Sequence, residues 1–131
     1  MAAAIDNWHE IVRTRDAAAL DRLLDDNVVF ESPVVFTPQA GKALTAGYLR
    51  AALSVLGGGQ FRYVGEWLGP TSGVLEFVAE IDGVTINGVD IISWNESGRI
   101  THFKVMVRPL KALTTVQQKM AALLAAGPPQ A

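Results

Sequence analysis

Apolar residues along this chain keep two periods, helical at both ends and alternating between them. Ile5, Trp8, His9 and Val12 recur at helical spacing and predict an amphipathic helix from about Ile5 to Thr14. Asp16 fits the N-cap of a second, short helix with Leu20, Leu23 and Leu24 facing inward, and Asp25–Asn27 is expected to stop it. Val28–Ser32 is β-branched and aromatic, hence a short strand, and Pro33 ends it. Pro33–Gly41 reads as a loop. Helical period returns over Lys42–Leu56, with Leu44, Tyr48, Ala52, Val55 and Leu56 on one side, and glycines 57–59 close that helix. Alternation then predicts strands over Gln60–Leu68, Val74–Ile81, Val84–Trp94 and Arg99–Arg108, with a hairpin turn at Asp82–Gly83. Pro109 suits the first turn of a last helix striped by Leu113, Val116, Met120, Leu123 and Leu124. Residues 126–131 are expected to be disordered. The reading is one α+β domain over residues 1–131, helices first and then an antiparallel meander.

The strand faces carry the first chemical clue. One face of Val84–Trp94 shows Ile86, Gly88, Asp90, Ile92 and Trp94; the other shows Thr85, Asn87, Val89, Ile91 and Ser93. A carboxylate in the apolar row must be hydrogen-bonded, paired or protonated, because burying it alone is costly. Asp90 is therefore the leading candidate. Leu75, Phe77, Ala79 and Ile81 make a matching face on the preceding strand, and Thr101, Phe103, Val105 and Val107 on the last one. Their opposite faces are half apolar, with Val78, Val89, Ile91 and Met106 among Glu76, Glu80, His102 and Lys104. Such a face suits a partner, and the expectation is a homodimer through it. Glu76 or Glu80 is placed to pair with Lys104 or Arg108 across strands.

Composition narrows the classes of function. A net charge of −2 over 131 residues offers no footprint for nucleic acid or an anionic membrane. No apolar run approaches the roughly 18 residues needed to span a bilayer, and the start lacks the pattern of a signal peptide, so a soluble cytoplasmic protein is expected. The absence of cysteine removes thiolate nucleophiles and thiolate metal sites. His9 and His102, far apart in sequence, show no metal-ligand spacing with carboxylates, and no metal or cofactor is expected.

Three segments, Leu23–Pro33 (LLDDNVVFESP), Gly88–Trp94 (GVDIISW) and Glu96–Val105 (ESGRITHFKV), carry a resemblance in their order and spacing. The chain resembles the nuclear transport factor 2-like superfamily, in its SnoaL-type polyketide-cyclase and ketosteroid-isomerase branches. The resemblance implies a cone, a strongly curved antiparallel (mixed) sheet wrapped on N-terminal helices, with a C-terminal helix and an apolar pocket at its open end. In the isomerases, a protonated aspartic acid on this strand donates a hydrogen bond to a dienolate oxygen, and its position is similar to that of Asp90. The partner tyrosine of those enzymes is matched by Trp8, whose indole N–H donates but is a poor proton source. Their general base is matched by Ser32, with Glu31 one step earlier on the other face. An unactivated serine does not abstract a proton from carbon. The aspartate-arginine-aspartate set of the superfamily's epoxide hydrolases is absent from the apolar faces.

Each candidate has a plainer alternative. Asp90 is an acid or hydrogen-bond donor at the pocket base, or a structural carboxyl bonded to Trp8 or backbone. Trp8, His9 and Tyr48 reach the pocket or simply pack, Ser32 touches ligand or only ends a strand, His102 serves a surface or dimer, and Glu31 is solvated. Phe30, Phe77, Ile92, Trp94 and Phe103 are expected to form a wall suited to a small hydrophobic molecule. Two functions follow. One is a cofactor-free isomerase, cyclase or dehydratase for an apolar carbonyl compound, with Asp90 as the acid–base group helped by Trp8, Ser32 and His9. The other is a non-catalytic ligand-binding or dimerisation module of the same fold.

Overall fold

The computed structural model describes residues 3–58 and 60–125. Its helices are α1 (Ala3–Thr14), α2 (Ala17–Leu23), α3 (Lys42–Leu56) and α4 (Leu110–Ala125). Its strands are β1 (Leu24–Glu31), β2 (Gln39–Ala40), β3 (Arg62–Leu68), β4 (Ser72–Ile81), β5 (Val84–Trp94) and β6 (Ile100–Arg108). The six strands form one curved sheet in the order β2-β1-β6-β5-β4-β3. From β3 to β6 it is the expected antiparallel meander, and β1 joins parallel to β6, which makes the sheet mixed. The expected disorder of residues 126–131 lies outside the described residues.

Local chemistry sets most element ends. Asp16 caps α2 by accepting from the Ala19 N–H at 3.1 Å. Asp82 and Gly83 both take positive φ, 51° and 80°, the geometry of a tight turn whose twist matches that of a hairpin. Asn95 accepts from the N–H groups of Ser97 and Arg99, closing the turn into β6. Asp25–Asn27 does not stop α2: the helix ends at Leu23 and the chain enters β1 at once. The extra residues of β1 bulge between the pairs Leu24–Ile100 and Val29–His102, where Asp25 accepts from Asn95 Nδ2 and from the Asn27 N–H. The loop after Pro33 also hides the short strand β2, paired with β1 through Val29–Ala40 and Phe30–Gln39.

The inner sheet face follows the alternation. Leu75, Phe77, Ala79, Ile86, Ile92 and Phe103 are buried there under the helices. Each of these side chains except Ala79 contributes about 1.5–3 kcal/mol by leaving water. On β6 the alternation slips, because a bulge near Ser93–Trp94 turns Ile100 inward in place of Thr101. On α1 the buried stripe is Ala4, Ile5, Trp8 and Ile11, which leaves His9 at the rim. On α3, Leu44 is 45% exposed rather than inward, while Leu49 and Leu53 are buried.

The outer face differs from expectation in its pairing. β5 lies between β4 and β6, so Glu76 and Glu80 have no direct ion pair with Lys104 or Arg108. Asn87 bridges the gap instead, donating to Glu76 at 3.0 Å and accepting from Arg108 at 3.2 Å. Lys104 turns to Glu31 at 3.7 Å, and His102 reaches the same carboxylate at 2.5 Å. Glu31 is thus a half-buried partner of two basic residues, not the solvated group expected.

Candidate functional site

Strand register brings the chemistry together. Asp90 on β5 faces inward between Leu75 on β4 and Val105 on β6. Two steps along its strand is Gly88, opposite Phe77 and Val107. A Cβ at Gly88 would lie 2.5 Å from the Phe77 ring and 2.6 Å from the Met106 carbonyl oxygen, so only glycine leaves room for that ring. Beyond β4, the inner face of β3 carries Tyr63 opposite Phe77. From there the Tyr63 hydroxyl reaches Asp90 Oδ2 at 2.5 Å.

Trp8 completes a directed chain. Its indole N–H donates to the Tyr63 oxygen at 2.9 Å, and Tyr63 donates onward to Asp90. Tyr63 is held by aromatic edges, with Phe61 at 5.1 Å and His9 at 5.2 Å between ring centroids. Trp8 packs edge-on to Phe103 at 4.8 Å. The expected bond from Trp8 straight to Asp90 is not made; Tyr63 stands between them.

Burial dominates the electrostatics. Asp90 is 6% exposed. Desolvation pushes its carboxyl up to about 7, while the hydrogen bond from Tyr63 pulls the other way. Tyr63 is raised well above the ordinary phenol, first by burial and then by the charge and hydrogen bond of Asp90, against a smaller lowering by Trp8. Around neutral pH the proton that comes and goes in this chain is therefore that of Asp90.

Asp90 opens into a cavity of about 270 Å³. Phe30, Phe61, Phe77, Phe103, Val105 and Val107 make its sheet wall. Tyr48, Ala52, Val55 and Leu56 of α3, and Val116, Gln117, Met120 and Leu124 of α4, cover it. Ser32, Pro33, Val34 and Val35 form one rim. Tyr48 stacks on Phe30, with ring centroids 5.7 Å apart. Asp90 is the single carboxylate among the described lining residues. Ser32 Oγ accepts from the N–H groups of Val34 at 3.1 Å and Val35 at 3.3 Å.

The candidates thus separate. Asp90, Trp8, Ser32, Phe30, Tyr48, Phe77 and Phe103 line one cavity. Ile92 and Trp94 do not. Ile92 is fully buried beside Phe103, on which Trp8 packs, so the core closes over β5 beyond Asp90. Trp94 is half-buried at the far end of the strand. His9 does not line the cavity either; its Nε2 pairs with Glu66 at 2.7 Å near the surface. Sequence reasoning missed Tyr63 and Phe61, although an aromatic pair spaced by two on a predicted strand marks one face. Among the described residues, no group of three or more His, Cys, Asp or Glu could hold a metal ion.

Comparison with known proteins settles the lineage. The SnoaL-like domain family matches residues 5–103. The chain belongs to that family. A steroid delta-isomerase from Pseudomonas aeruginosa is 35% identical, with a TM-score of 0.90 over 95% of this chain and 91% of that one. A protein with a cystatin-like fold from Silicibacter pomeroyi is 28% identical, with a TM-score of 0.89 over 97% and 89%. An NTF2-like protein from Mesorhizobium loti, 19% identical with a TM-score of 0.72 over 82% and 90%, shares the fold. No curated protein matches the chain. The SnoaL-like domain is thus α+β, shares its fold with a cystatin-like and an NTF2-like protein, and is related to a steroid isomerase. No described helix is long and apolar enough to cross a membrane.

Proposed function

We propose that this SnoaL-like domain is a cofactor-free acid–base catalyst for a small apolar carbonyl compound, of isomerase, cyclase or dehydratase type, with Asp90 exchanging the proton. One observation carries the reading: a lone carboxyl lines a mostly apolar cavity, with its pKa raised to about 7. A group of that pKa is part ionised and part protonated at neutral pH, so it can take a proton and return it. Tyr63, fed by Trp8, holds Oδ2 and leaves Oδ1 without a partner among the described residues. The apolar wall suits a hydrophobic ring system, and 35% identity to a steroid delta-isomerase supports such a substrate. A soluble cytoplasmic enzyme is part of the same proposal.

The test is turnover of apolar β,γ-unsaturated cyclic ketones by wild type and Asp90→Asn. Asn keeps the shape and cannot exchange the proton, so kcat/KM is expected to fall about 10²–10⁴-fold. With Asp90 acting as the base, the wild-type rate rises with pH through about 7 and then levels. An unchanged rate in Asp90→Asn would defeat the proposal.

A second reading, a non-catalytic hydrophobic receptor, is favoured by Ser32 at the position where the resemblance to ketosteroid isomerases implies a base. Tight binding of those ketones with no turnover would support it.

A further inference from the structure

Lone-pair accounting at the cavity assigns the two ends of the reaction, given the acid–base reading above. Ser32 Oγ has two acceptor sites, and the N–H groups of Val34 and Val35 occupy both. What remains is its O–H hydrogen, which has no acceptor among the described residues, on a side chain that lines the cavity. Two donated bonds also polarise the hydroxyl and make it a stronger donor. Ser32 is thus built to give a hydrogen bond and unable to take a proton.

Asp90 is arranged the opposite way. Tyr63 donates to Oδ2 and is itself fed by Trp8, so every hydrogen bond it receives favours a proton-accepting carboxylate. Oδ1 is left open on a residue that lines the same cavity. No other charged side chain is among the described lining residues, and the tyrosines there are Tyr48 and Tyr63.

We infer that Ser32 anchors the carbonyl oxygen of the substrate while Asp90 acts as the base, so the two positions exchange the roles implied by the resemblance to ketosteroid isomerases. The substrate class is an apolar ketone with an acidic C–H beside the carbonyl. Asp90 carboxylate takes the α-proton, the C–H electron pair forms the C=C bond, and the carbonyl π pair moves onto oxygen. Ser32 donates its hydrogen bond to that oxygen as negative charge develops. Return of the same proton from Asp90 to a conjugated carbon re-forms the C=O bond and gives the rearranged ketone, with no net gain or loss of protons.

The experiment is infrared difference spectroscopy of carbonyl-¹³C-labelled 1-tetralone bound to the full chain. In wild type the C=O stretch is expected at lower frequency than in an alkane, because a donor sits on the oxygen. Ser32→Ala abolishes that displacement, Ser32→Thr retains it, and Asp90→Leu, which carries no donor, retains it. In turnover of the β,γ-unsaturated ketones, Ser32→Ala lowers kcat/KM about 10²-fold, the effect of losing one oxyanion donor, and Ser32→Thr restores it. A displacement that survives Ser32→Ala and disappears in Asp90→Leu makes Asp90 the anchor. That result overturns the exchange of roles but leaves the acid–base function standing. If 1-tetralone does not bind wild type at all, both fail.

Discussion

A buried carboxyl links the pH of the solution to the stability of the fold. The Asp90 pKa is raised from 3.8 to about 7, so between these values the folded chain binds this proton more tightly than the unfolded chain does. Its contribution is therefore greatest at low pH, is lost as pH rises from about 4 to 7, and is flat beyond. The full span corresponds to about 4 kcal/mol. Asp90→Asn has no such titration. The stability of the variant relative to wild type, from urea unfolding at pH 5 and pH 8, is expected to increase at the higher pH. A difference that does not change with pH would mean that Asp90 is solvated. At this scale the sequence was legible for Asp90, since its apolar row already forbids an easy charge. It was not legible for Tyr63, because only folding places β3 two strands away from β5 with the hydroxyl at Asp90 Oδ2.

Among the elements, β5 sets the shape of the cavity. Gly88 leaves the place that Phe77 fills, and the aromatic wall depends on that ring. Gly88→Ala puts a methyl against both a side chain and the backbone of β6, so relaxing the Phe77 rotamer does not relieve it. The expected loss is about 1–3 kcal/mol, read as a lower thermal midpoint together with weaker ketone binding. Retention of both would show that the strands shift freely there. Periodicity located α3, β4 and β5 well because each has one long buried face. It failed at β1, where a bulge absorbs Asp25–Asn27, and at β2, which is too short to show a period. Hydrophobic pattern reports which face is buried, not where a ladder skips a residue.

At the scale of the whole molecule, the described residues leave the outer sheet face uncovered, with Trp67 59% and Met106 51% exposed beside the half-buried Val78, Val89 and Ile91. Acidic Glu76 and Glu80 lie on β4, and basic Lys104 and Arg108 lie on β6 at the other side of β5. A second copy related by a two-fold axis near β5 would set each acidic edge against a basic one. We propose that the partner of this face is another copy of the chain. Sedimentation velocity is expected to show a dimer for wild type and a monomer for Met106→Glu, whose charge would be buried at the contact. A wild-type monomer at high protein concentration refutes this.

What the amino-acid order determined by itself was local and periodic: the positions of the helices and the long strands, the cap at Asp16, the turn at Asp82, and the wrong-face carboxyl at Asp90. These depend on neighbours a few residues apart. The tertiary structure decided which groups meet across long separations. It joined Trp8 and Tyr63 to Asp90, set Ser32 on the rim of the same cavity, and removed Ile92 and Trp94 from its wall. The physical reason is that strand order and sheet curvature fix where inward rows converge, and packing rather than period decides which inward residues face a void.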